Sequence, residues 1–247
     1  MAAIPRHPAA PGLSRRHLVR GAVALLLAGS LFGLWRSASH AGEQPVLAPP
    51  PAVDQPLAAG DLQTAVLAGG CFWGIQGVFQ HVKGVSHVLA GYAGGEKATA
   101  IYEMVGSGQT GHAESVEIRF DPAQVSYGQL LRIFFSVAHD PTELDRQGPD
   151  DGPQYRSAVF FADAGQRKIA EAYIAQLDKA GLYGGPIVTR VDPLKGFYPA
   201  EGYHQDFLVH HPTYPYIVVN DLPKVANLKR LFPDLYRDQP VTVAATE

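Results

Sequence analysis

TAVLAGGCFWGIQGVFQHV, residues 64–82, changes its periodicity once, at a pair of glycines. Before them Thr64 to Gly69 form a short apolar run suited to a buried strand. After them Ile75, Val78, Phe79 and Val82 recur at helical spacing. The stretch therefore reads as strand, glycine turn, helix, with Cys71 at or near the helix start. A thiol there meets free backbone N–H groups and the positive end of the helix dipole, and both favour thiolate. Cys71 is the only cysteine in 247 residues. It is either a buried filler or a group kept for its chemistry, because free cysteine is also among the most buried residue types. Phe72 and Trp73 beside it suit a substrate with a small apolar group at the reacting atom, or plain core packing.

Further along, SHVLAGYAGG (86–95) reads as a strand closing in a turn, and ESVEIRF (114–120) as a strand with a two-residue period. SYGQLLRIFFSVAH (126–139) reads as a helix capped by Ser126, and YRSAVFFA (155–162) as a strand. DAGQRKIAEAYIAQLDKAG (163–181) is expected to be a helix capped by Asp163 and stopped by Gly181, with Ile169, Tyr173, Ile174 and Leu177 on one face. PIVTRV (186–191) supplies the last strand. Two long helices and four or five strands in mixed order imply an α+β two-layer sandwich. Its central sheet is mixed or mostly antiparallel, with flanking helices and a ferredoxin-like core.

Charge divides the chain. Residues 1–41 hold five arginines and no acid, and all 23 acids follow them. Arg15 and Arg16, with Leu18 two residues on, precede an uncharged apolar run from Gly21 to Trp35. That run is short of the roughly 20 residues a membrane-crossing helix needs, which fits a twin-arginine-type export signal cut near Ala41. An uncleaved membrane anchor is the alternative. Residues 42–60 contain five prolines and no apolar period, as a semi-rigid tether would. Residues 42–247 carry 15 basic and 23 acidic residues, a net charge of −8, which disfavours nucleic acid as a partner. A periplasmic protein commonly uses disulfides, but a lone cysteine forms none within the chain.

Glu114 stands out on the strand 114–120. Val116, Ile118 and Phe120 share one face, and Glu114 falls on it. A carboxyl group on a core-facing position is held protonated near neutral pH and can serve as an acid. Tyr102 lies in a glycine- and serine-rich loop leading to Glu114. Tyr155 follows HDPTELDRQGPDDGPQ (139–154), a loop long enough to be functional.

GGCFWG, GYAGG, Tyr102 followed by SGQTGHAES, HDPTELDRQG, QYRSAVFF and AEGYHQDFL resemble, in order, the signature segments of the A-class peptide methionine sulfoxide reductases. The resemblance runs from about Thr64 to about Pro215. It implies that Cys71 attacks the sulfoxide sulfur, that Phe72 and Trp73 hold the S-methyl group, and that Glu114 protonates the oxygen. It implies further that Tyr102 and Tyr155 hydrogen-bond that oxygen. Asp150 falls where the family has a carboxylate that orients the substrate backbone or a water, with Asp151 beside it and Pro149 in place of the family's asparagine. His204 and Tyr203 are expected to pack behind the site. The family's activity would be reduction of methionine (S)-sulfoxide in proteins or peptides, leaving a sulfenic acid on Cys71. The domain expected to carry it is 61–221, followed by a tail, 222–247.

Many family members carry further cysteines near the C-terminus that turn the sulfenic acid into a disulfide, and this tail has none. An external thiol is therefore expected to reduce Cys71: a thioredoxin-like or glutaredoxin-like protein, or a small thiol. No bound cofactor and no metal are expected, since His204, His210 and His211 lack zinc-type spacing with carboxylates or thiols. The partners expected are sulfoxide-bearing proteins and the thiol reductant, and the chain is expected to act as a monomer. Two rival functions are an exported cysteine hydrolase or acyl transferase using Cys71 with His112 or His204 as base, and a binding module with Cys71 as core filler.

Overall fold

The computed structural model describes residues 45–243; the expected export signal and its cleavage near Ala41 lie outside them. The strand–turn–helix unit is present, as β1 (Gln63–Gly69) and α1 (Phe72–Gln80), with Cys71 in the N-cap position. Gly70 makes the reversal possible. Its φ is +96°, and a Cβ there would lie 2.6 Å from the Gln147 side chain.

After α1 come β2 (Val85–Ala93), the one-turn helix α2 (Tyr102–Val105), β3 (Ala113–Phe120) and α3 (Tyr127–Ile133). Ser126 and Gln129 close a reciprocal capping box at the start of α3, and Phe134–Ala138 continue it as a π-helical turn. The long loop holds a two-residue ladder, β4 (Arg146–Gln147) with β5 (Asp150–Asp151). Then follow β6 (Ser157–Phe161) and α4 (Ala164–Ala180), the latter capped by Asp163 and ended by Gly181 at φ +61°. The chain goes on through β7 (Arg190–Pro193), β8 (Phe197–Pro199), α5 (Phe207–His210) and α6 (Leu222–Leu231).

One six-stranded sheet runs in the order β7-β6-β1-β3-β2-β8. All its pairs are antiparallel except β6 with β7. Its inner four strands, with α1 between β1 and β2 and α3 between β3 and β6, have the ferredoxin-like arrangement. Ala65 and Leu67 of β1, Val88, Ala90 and Tyr92 of β2, and Val116, Ile118 and Phe120 of β3 face one way. They form the main core with Ile75, Val78 and Phe79 of α1 and with α3, α4 and α6. The other face carries a smaller cluster, Val66, Ala68, Ala158 and Phe160, under Leu194 and Phe197.

Two expectations need correction. The strand placed at 186–191 begins at Arg190. Before it, Ile187 and Val188 use their N–H groups on Asp178 and Pro141 instead of on a strand. The proline-rich stretch is not a free tether, since from Val46 onward it docks on α3 and α4. Ala48 is fully buried between Ser136 and Arg132, and Tyr173 and Gln176 donate to the carbonyls of Pro49 and Pro50. Prolines leave few N–H groups to satisfy, so their carbonyls suffice to fix the strap. Beyond residue 221, α6 packs as well, with Leu228 fully buried against the core.

Asp54 closes the strap. Its carboxylate accepts hydrogen bonds from Ser126 Oγ and from the Gly128 N–H, the latter at 2.9 Å, at the open start of α3. Asp54→Ala is expected to cost about 1 kcal/mol, the usual worth of a helix cap, measured as a lower urea midpoint with turnover unchanged.

Candidate active site

The tight turn at Gly70 delivers Cys71 to the floor of a cavity of about 150 Å³. Cys71, Phe72, Trp73, Tyr102, Glu114, Asp150, Tyr155 and Tyr216 line it. That volume holds a few water molecules or the end of one side chain. A larger gap of about 470 Å³ opens between residues 55–63 and the start of α3, away from the thiol.

Glu114 is 4% exposed. Its strand parity turns it inward beside Tyr92, its partner on β2. Its Oε2 accepts the N–H of Phe72 at 3.1 Å, so the carboxyl is tied to the first helical amide after the thiol. Burial raises its pKa from 4.5 to about 8, against the opposing pull of that amide.

Cys71 differs from the thiolate expectation. The Trp73 N–H does favour the anion. Burial outweighs it, reinforced by the carboxyl groups of Glu114 and Asp221, and holds the resting thiol well above its ordinary range. A helix start lowers a thiol's pKa only where the anion keeps some solvent, and this thiol is buried.

The aromatic wall is braced from behind. Trp73 stacks on Phe207 with ring centroids 3.8 Å apart and donates from Nε1 to His204 Nδ1 at 3.2 Å. Tyr214 and Tyr216 meet its face edge-on. His204 also touches the rings of Phe72 and Tyr102, and burial lowers its pKa, so it is a neutral acceptor. Tyr203 packs on His204 but is 60% exposed and stays outside the cavity.

Glu201 clamps two elements together, accepting from Tyr92 OH at 2.9 Å and from the Tyr102 N–H at 3.0 Å. Tyr102 and Tyr155 present phenols to the cavity, and burial followed by the nearby Glu114 keeps both protonated. Of the two adjacent aspartates, Asp150 lines the cavity and Asp151 is exposed. Asp150 accepts a hydrogen bond from Tyr216 OH; burial raises its pKa and that bond partly offsets the rise.

Tyr216, Phe207 and Glu201 were not picked out from the sequence. Glu201 was within reach, because it sits in AEGYHQDFL, but nothing in the pattern marks it as a clamp. Tyr216 lies in a Pro-rich connection with no period to read.

Neither His112 nor His204 is placed to act as a base. His112 accepts from the Gly95 N–H on Nδ1 and donates from Nε2 to Glu96 O, at 3.2 and 3.0 Å. His204 uses Nδ1 on Trp73, and neither histidine lines the cavity. Among the described residues, no group of three or more His, Cys, Asp or Glu side chains could hold a metal ion.

A neutral carboxyl and a thiol in one buried niche, under an aromatic wall, are the parts that oxygen removal from a thioether sulfoxide needs. The comparisons with known proteins agree. A family profile described as peptide methionine sulfoxide reductase matches residues 63–235. The chain belongs to the peptide methionine sulfoxide reductase family. It is an oxidoreductase acting on sulfur, reducing methionine sulfoxide.

The chain is similar to peptide methionine sulfoxide reductase MsrA 2 of Mesorhizobium japonicum, 64% identical over 191 residues, covering 77% of this chain and 97% of that protein. It is similar to the MsrA 2 of Synechocystis, 50% identical, covering 77% and 91%. Among solved structures it resembles methionine sulfoxide reductase A of Corynebacterium diphtheriae, with a TM-score of 0.54 and 35% identity over 70% of this chain and 87% of that one. It also resembles reduced Mxr1 of Saccharomyces cerevisiae, with a TM-score of 0.56 and 30% identity over 66% and 92%.

The raised Glu114 predicts a stability signature for this reductase. Between pH 4.5 and about 8 the folded protein keeps a proton that the unfolded chain has released, so stability falls as pH rises through that window. Glu114→Gln removes the penalty and keeps an acceptor for Phe72. In urea titrations the variant is expected to lose this slope and to exceed the parent by a few kcal/mol above pH 8; equal slopes would contradict the burial effect.

Proposed function

We propose that Cys71 is the nucleophile and Glu114 the acid of methionine sulfoxide reduction in this chain. The observation that carries the assignment is the buried carboxyl raised to about 8 in the same cavity as the only thiol. The sulfoxide methyl group sits against Phe72 and Trp73. Its oxygen accepts from Tyr102 OH, Tyr155 OH and the Glu114 carboxyl. As Cys71 Sγ bonds to the substrate sulfur, Glu114 gives its proton to the oxygen and the thiol proton recharges the carboxylate; the hydroxyl then passes from the substrate sulfur to Cys71 Sγ, breaking the S–O bond and the transient S–S bond. The products are methionine and a Cys71 sulfenic acid, with no net proton taken from water. Asp150, held by Tyr216, orients the substrate's polar backbone or a water. His204 and Tyr203 support the wall from behind.

The substrate epimer in this reading is the S form, carried by proteins or peptides. The sulfenic acid is reduced from outside by the thiol of a thioredoxin-like or glutaredoxin-like protein or by a small thiol, because the 247 residues hold no second cysteine. The protein acts after export to the periplasm, a location supported by the paired arginines and the apolar run before Ala41. Among the described residues no helix is long and apolar enough to cross a membrane.

Two measurements test the assignment. Glu114→Gln is expected to lower turnover by about 10² or more, the usual worth of a positioned acid, with the substrate KM little changed; parental turnover would remove the acid role. In a single turnover without reductant, the enzyme is expected to release about one methionine per Cys71 and then to be labelled by dimedone. A Cys71 unreactive to dimedone after methionine release would contradict the sulfenic acid route.

A further inference from the structure

The sequence holds two methionines, Met1 and Met104, and Met1 lies outside the described residues. Met104 sits on α2, the single helical turn whose first residue, Tyr102, forms part of the cavity wall. Its side chain is 41% exposed, next to the equally open Ile101. Peroxide in solvent therefore reaches its thioether directly, and an exposed thioether is the group such oxidants convert to sulfoxide.

We infer that Met104 is a sulfoxidation site of this protein, and that its sulfoxide is a substrate for the Cys71 cavity of a second copy of the chain. The inference rests on the role given to Cys71 above and extends it to a particular substrate, an exposed turn of a folded protein.

Geometry favours a second copy. Two residues of chain between Tyr102 and Met104 reach about 7 Å at full extension. Tyr102 is itself part of the cavity wall and is tied through its N–H to Glu201, so drawing the neighbouring Met104 inward pulls on both. Repair within one molecule thus disturbs the site that performs it.

Repair between molecules places the cost of local opening on the substrate copy and leaves the catalytic copy intact. A four-residue helix is marginal in itself; opening this one gives up the backbone bonds made by the N–H groups of Met104, Val105, Gly106, Ser107 and Gly108, the Ser107 hydroxyl's bond to Met104 O and the burial of Val105. The helix runs directly into a glycine-rich loop in which Gly108 and Gly111 have positive φ, so the turn can unwind and present Met104 in extended form.

The oxygen balance is closed. The Met104 sulfoxide oxygen passes to Cys71 Sγ of the second copy, leaving a thioether and a sulfenic acid. Two equivalents of external thiol then return Cys71 to the thiol, releasing water and a disulfide.

The test separates enzyme from substrate. Full-length Cys71→Ser protein is oxidised with hydrogen peroxide, freed of it, and mixed with catalytic Met104→Leu protein and dithiothreitol, alongside an oxidised N-acetylmethionine peptide as control. Tryptic peptide 98–119 contains Met104 as its only methionine, and fragmentation locates the added oxygen. The expected result is one oxygen gained on Met104, then lost from about half the molecules, the share of one epimer, at a rate proportional to the Met104→Leu enzyme. With Cys71→Ser protein and dithiothreitol alone the oxygen stays. Met104 left unoxidised while the control is oxidised, or Met104 sulfoxide persisting while the control is reduced, overturns the inference. Persistence on both overturns the Cys71 assignment itself.

Discussion

A single hydrogen bond, from the Phe72 N–H to Glu114 Oε2, joins the two chemical halves of this protein. One half arrives on the turn between β1 and α1, the other on the inward face of β3, and the bond exists only because α1 lies over that face. A carboxyl group so placed is caught between two demands. The amide favours its anion, while burial favours its acid form, and burial wins by enough to put its titration near 8. The same burial raises the thiol. Both groups are thus neutral at rest, and neither charge has to be held in the interior until a sulfoxide oxygen is there to take the proton.

The surrounding structure reads as support for that arrangement. Trp73 is immobilised by a stack on Phe207 and a hydrogen bond to His204, so the apolar side of the niche does not collapse onto the thiol. Glu201 ties Tyr102 to the sheet through Tyr92. Both fastenings come from residues about 100 or more positions downstream, on the connection from β8 and on the first residue of α5. The C-terminal quarter of the chain therefore belongs to the site, although it brings neither the thiol nor the acid.

Much of this was legible in the sequence, for identifiable reasons. Strand parity put Glu114 inside because β3 is a regular strand with a two-residue period, and the Ser126, Asp163 and Gly181 caps follow rules that act over three or four residues. The order of the inner four strands followed from local strand and helix signals. What was missed depends on distant contacts. The proline-rich strap shows no periodicity because its partners are the carbonyl-facing side chains of α3 and α4, more than 80 residues away. β8 is three residues long and paired only along β2. The thiol's state also escaped, because a helix dipole can be inferred from position whereas the depth of burial cannot.

The charge state of Glu114 is the point on which the chemistry turns. Carbon-13 NMR of protein labelled at the glutamate carboxyl carbons, with Glu114→Gln to assign the signal, reads it directly. The account predicts a Glu114 resonance at the protonated position at neutral pH, moving with a midpoint near 8. A resonance already ionised at pH 7, titrating near 4.5 like a solvated glutamate, would contradict it.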